Sequence, residues 1–158
     1  MSQPAIPLLD PLGRYAGKAV ALGRALVETL TAQRDLYVQL ASLARKQSDC
    51  IATGDSETLM SILAARSQLI DQLNPLDVRL QPHKDKWDAT LAELTPPDRA
   101  AVTALLTQVR QLLADILQQD EADRQQLERQ KQEVSAQITR TVTGTQLNRA
   151  YGVRTRPA

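Results

Sequence analysis

Apolar residues along this chain recur in steps of three and four over long stretches, the spacing that gathers them on one face of an α-helix. Leu26, Leu30, Gln33, Tyr37, Leu40, Ala44, Gln47 and Ile51 form the first such seam, and Leu22, Leu36, Leu43 and Cys50 run beside it on a heptad phase. A face of that width fits two packing partners. The pattern predicts a long helix from Gly13 or Arg14 onward. Pro4, Pro7 and Pro11 predict an extended lead-in over residues 1–13.

Gly54 follows the last seam residue, where a left-handed cap is commonly required, and Asp55 or Ser56 can accept the free amides that open a second helix. That helix repeats the spacing through Leu59, Ile62, Leu63, Arg66, Leu69, Ile70 and Leu73. Asn74-Pro75-Leu76-Asp77 then reads as a cap, a first-position proline and a first-turn acid, so a kink or restart is expected there. A weaker pattern continues through Leu76, Leu80, Trp87, Leu91 and Leu94, broken by Pro82. Thr95-Pro96-Pro97-Asp98 starts a third helix: a capping hydroxyl, prolines whose missing amides leave no partner wanting, and an acid near the helix N-terminus.

The third seam runs Val102, Leu106, Val109, Leu113, Ile116, Asp120, Asp123, Leu127, Gln130, Val134, Gln137 and Thr141. Its length is about 65 Å at 1.5 Å per residue. Thr143, Gly144, Asn148, Gly152 and Pro157 interrupt it, and after Glu133 every charge is basic, including Arg140, Arg149, Arg154 and Arg156. Short turns between long helices make neighbours antiparallel. The expected fold is therefore all-α: an elongated antiparallel three-helix bundle or coiled-coil-like rod, its second helix kinked near Pro75 to Pro82. The bundle domain spans 14–142 and a flexible basic tail 143–158.

Composition narrows the function more than the fold. With 158 residues, 42% of them apolar, the chain builds one modest core. A net charge of +1 provides no field to draw it onto nucleic acid or an anionic membrane, and the absence of Phe leaves little for base stacking. No unbroken apolar run reaches the roughly 18 to 20 residues of a membrane span, so no membrane insertion is expected. One cysteine and an N-terminus without a secretory pattern point to the cytoplasm.

Catalysis finds no residue set. His83 and Cys50, each the single residue of its type, fall on different helices without a third ligand or an orienting acid, and the glycines form no phosphate loop. No enzyme activity, metal or cofactor is expected. Trp87 reads as a core or lid residue. Two polar or sparse features remain. Asp120 and Asp123 occupy seam positions, and counting heights along an antiparallel rod brings Gln33, Tyr37 and Arg66 near them; the five form a polar layer that fixes register, or the two acids are simply solvated. Beyond them the stripe thins to Leu127, Val134, Ile138 and Val142, followed by Tyr151. It is either a fraying end or a surface that receives a partner helix.

The order of these features resembles the FlgN-type flagellar export chaperones over most of the chain. The resemblance rests on Gln33 with Leu36, Tyr37 and Leu40, then Lys46 and Gln47, then the Gly54-Asp55 turn with Leu59, Arg66, Leu69, Ile70 and Leu73, and on the Ala150-Tyr151-Gly152 ending. Asp120 and Asp123 stand where that family often carries asparagines three apart. The resemblance implies a non-enzymatic cytoplasmic chaperone, a monomer or small homo-oligomer without a cofactor. Its partners would be hook-associated flagellar proteins and export-apparatus components, with the client's amphipathic terminal segment held by the C-terminal stripe. The contrasting reading is a structural coiled-coil rod or linker of a secretion machine, which would self-associate through the same stripe.

Overall fold

The computed structural model describes the backbone of residues 5–150 and the side chains of residues 17–141. Four α-helices and one 3-10 turn follow in order: α1 (Ala5–Thr53), α2 (Ser56–Leu80), the 3-10 turn Gln81–His83, α3 (Trp87–Ala92) and α4 (Pro96–Ala150). No strand occurs among the described residues, so the class is all-α. The chain divides into two units, Met1–Gln119 and Asp120–Ala158, with the division inside α4.

The turn from α1 to α2 forms as its residues dictate. Gly54 takes a φ of 73°, the conformation that side chains with a Cβ resist, and the Asp55 amide donates back to the Cys50 carbonyl at 3.0 Å. The Asp55 carboxylate then accepts from the Thr58 amide at 3.1 Å and caps α2. At the other start, the Thr95 hydroxyl accepts from the Asp98 amide at 3.4 Å and the Arg99 amide donates to the Thr95 carbonyl at 2.8 Å.

Three boundaries differ from expectation. Helix α1 begins at Ala5 rather than after an extended lead-in over 1–13: Pro7 falls in the first turn, where amides have no intrahelical partner, and Pro11, further in, removes one ladder bond from a 49-residue helix. Helix α2 runs through Pro75 without the expected restart at Asn74: Leu69 and Leu73 before the proline and Leu76 and Leu80 after it are buried, and that burial offsets one missing ladder bond. The interruption falls later, at the 3-10 turn that contains Pro82. Helix α4 continues to Ala150 past Thr143 and Gly144, because a glycine in a helix costs only about 1 kcal/mol and does not by itself end one.

Within the first unit the core has two centres. Leu26 and Leu30 of α1 pack with Leu80, Leu94, Val102, Leu105 and Leu106. Leu40 and Ala41 pack with Leu69, Leu73 and Ile116. Along α1 these contacts climb α4 in the same direction and descend α2, so α2 runs against the other two. Gly23 is buried at the close approach of α1 to the start of α4, where an added methyl would stand 2.7 Å from the Asp98 carboxyl carbon. Among the described residues, α4 alone is long and apolar enough to cross a membrane, by length and composition only. Val102, Leu105, Leu106, Val109 and Ile116 on this helix are buried.

Candidate functional site

Helix α4 has one apolar face and two surroundings. In its first part Val102, Leu105, Leu106, Val109 and Ile116 are buried, and at 100° per residue they span an arc of about 100°. Leu127, Val134 and Ile138 lie on the continuation of that face, yet they are 45%, 55% and 58% exposed. The residues chosen from sequence as a client surface are therefore open side chains. Val142 lies within α4, but its side chain is outside the described residues, as is Tyr151 altogether.

Charge on this segment is mixed and surface-borne. Arg124 grips Glu121 one turn back through two hydrogen bonds of 2.7 and 3.0 Å, which holds the Glu121 carboxyl below its ordinary range, with Gln125 as a second donor. Both side chains are more than half exposed, so the pair contributes little stability. Lys131 and Arg140 are exposed as well.

Of the polar residues proposed as one register layer, Gln33 and Arg66 take different partners. Gln33 is buried and donates its amide to Asp77 at 2.9 Å, while Lys84 stands 3.9 Å from the same carboxylate oxygen. The Tyr37 hydroxyl is pushed above its ordinary range, first by burial and then by the negative charge of Asp77. Arg66 instead donates to buried Gln47 at 2.7 Å. Gln33 and Gln47 are fourteen positions apart on α1, about 21 Å along the helix, so Gln33 and Arg66 do not share a level. Asp120 is half-buried and Asp123 buried at 5% exposure. No buried side-chain nitrogen or oxygen among the described residues lacks a hydrogen-bond partner.

Asp77 was missed from sequence. Its place after Asn74-Pro75 disguised it as the first-turn acid of a restarted helix, whereas it belongs to the last turns of α2 and partners α1. A second omission is the exposure of the apolar residues Leu63 and Ile70 on α2 and Leu113 on α4, which the seam pattern alone assigns to the interior.

The remaining reactive groups have structural roles. The His83 ring lies 5.8 Å from that of Trp87, centroid to centroid, and its Nδ1 is 3.1 Å from the buried Thr90 hydroxyl. The Cys50 thiol is buried; desolvation first, then Asp55 and Asp49, pushes its pKa up, away from the reactive thiolate. Among the described residues no group of three His, Cys, Asp or Glu side chains is placed to hold a metal ion. Two adjoining grooves of about 450 and 430 Å³ between α1 and α2 share Leu43 and Ala65, and the second is also lined by Lys46, Asp49 and Cys50.

Comparison with known proteins gives one positive finding. The sequence profile of the family described as FlgN protein matches residues 23–156. Among curated proteins and among solved structures, none matches the chain.

Proposed function

Because the chain belongs to the FlgN family of flagellar export chaperones, we propose that it binds the amphipathic terminal segment of hook-associated proteins, prevents their premature assembly and delivers them to the flagellar type III export apparatus. The action is cytoplasmic, and binding and release replace chemistry. The observation that carries this reading is the apolar face of α4: buried up to Ile116, it emerges at Leu127, Val134 and Ile138 as half-exposed side chains on a helix that continues to Ala150. An amphipathic client helix covers such a face by matching it with its own apolar stripe. The packed helices of the first unit then serve as scaffold.

The magnitudes set the affinity. Fully burying three such side chains contributes at most about 5–9 kcal/mol, and roughly half of that is already realised, while micromolar binding requires about 8 kcal/mol. Contacts beyond these three, at Val142 and at the polar flanks, therefore contribute, and affinity is micromolar or weaker.

The test is to mix the full chain with peptides from the C-termini of hook-associated proteins, following Trp87 fluorescence and size-exclusion mass together. The expected result is a one-to-one complex that is lost in Val134→Glu with Ile138→Glu. Absence of binding together with concentration-dependent self-association would instead support a structural coiled-coil rod.

A further inference from the structure

Helix α2 carries a second stripe besides the one it buries. Met60, Leu63, Ser67, Ile70, Asn74 and Val78 follow one another in steps of three and four and fall within an arc of about 80°. All six are exposed, Met60 and Val78 by 66% and 71%, and none is charged. A solvated helix face ordinarily holds the charges, yet Glu57, Arg66, Asp71, Asp77 and Arg79 of α2 all lie outside this arc. The stripe is on the side of α2 turned to α4. The grooves between α1 and α2 are lined from α2 by Ala65, Gln68 and Gln72, across the buried Leu69 and Leu73 from Ile70. On α4, Gln108 and Gln119 hydrogen-bond to Arg34 and Ser48 of α1, whereas Leu113 and Leu117 fall on the other side of the buried Val109 and Ile116. Ile116 packs with Leu69 and Leu73, so Leu113 and Leu117, both exposed, stand level with Ile70. The two helices of unit 1 thus present one apolar face, on whose α4 side Arg110 is the one charge between Thr103 and Leu117 among the described residues.

We propose that this face is where a second copy of the chain docks, α2 and α4 of each copy closing a four-helix layer about a two-fold axis. In such a pairing a patch meets itself, so a surface dominated by one sign of charge repels its own copy, and a stripe without charge does not. The same neutrality gives a different protein no charge to recognise, and flanking charges are what select partners at helical contacts. Area sets the strength. From Met60 to Val78 the stripe is about 27 Å long and two packed helices are about 18 Å wide, a footprint of about 500 Å² on each copy. The pair then buries about 1,000 Å², the threshold of a specific interface, so the dimer forms at micromolar concentrations and dissociates when dilute. The proposal does not depend on the client-binding reading, whose residues lie beyond Gln119.

The test is sedimentation equilibrium on the full chain without client, from low micromolar to about 200 μM, at low and at high salt. The expected result is a monomer–dimer equilibrium that salt leaves nearly unchanged, because the contact is apolar. Ile70→Glu with Leu117→Glu raises the dimer Kd by about tenfold or more. Both side chains are about half-exposed, so the melting temperature of that variant stays near the parent's. Ser67→Leu adds an apolar side chain to the same stripe and lowers the Kd, a second readout that does not depend on the double variant folding. Val134→Glu with Ile138→Glu leaves the equilibrium as it is. A monomer at every concentration overturns the proposal, as does a dimer that neither Ile70→Glu with Leu117→Glu weakens nor Ser67→Leu strengthens. Self-association lost only in Val134→Glu with Ile138→Glu overturns it in favour of the structural rod.

Discussion

Single residues set the tolerances of the first unit. Gly23 has no room for a methyl beside Asp98. Gly23→Ala gains about 1 kcal/mol of helix propensity but displaces the Asp98 side chain, whose Cβ would itself stand at 3.0 Å, an overpacking that costs about 1–3 kcal/mol. Net destabilisation is expected, read as a lower urea midpoint. Asp55 shows a different dependence. Its pKa is lowered by the hydrogen bonds from Thr58, so its capping contribution is present above the unfolded value of about 3.9 and is lost as pH falls through the folded one. Asp55→Ala therefore lowers the melting temperature at neutral pH and narrows the gap to the parent in acid. Asp77 raises the Tyr37 pKa, though less than burial does. Asp77→Asn should lower that pKa only part of the way to an ordinary tyrosine's, a shift followed by the ring resonances in an NMR titration. Of these residues the sequence made Asp55 legible, because capping is a local rule. The contacts of Gly23 and Asp77 depend on another helix, and no local spacing encodes which one.

At the level of elements, the helical periodicity and the caps at Asp55 and Thr95 were legible because both are written within a few neighbouring positions. Two prolines misled in the same direction. Pro7 and Pro75 lie inside helices, and tertiary burial of Leu73, Leu76 and Leu80 prevails over the local break signal at Pro75. The exposed half of α4 was legible as a thinning stripe, whereas the partner that Gln33 and Tyr37 share, Asp77, was not. Helix α4 yields a sharp contrast between two sites on one face. Ile116→Ala, in the core, costs about 2–5 kcal/mol, while Val134→Ala, half-exposed, stays within about 0.5–1 kcal/mol of the parent in denaturant unfolding.

For the molecule as a whole, the division of the chain at Gln119 and Asp120 separates a packed unit from a helical segment whose apolar residues Leu127, Val134 and Ile138 remain open. In the function proposed above, the first is a stable scaffold and the second a face left incomplete until a client covers it. Sequence order carried the family resemblance, but the exposure of those three residues depends on what packs nearby and had to be seen in three dimensions. Hydrogen–deuterium exchange on the full chain, with and without a C-terminal peptide of a hook-associated protein, tests the central claim most directly. The account predicts slowed exchange concentrated in residues 124–142 of α4, with the cores around Leu30 and Leu40 unchanged. Protection confined to the groove between α1 and α2, or none at a peptide concentration that saturates a parallel binding assay, would contradict it.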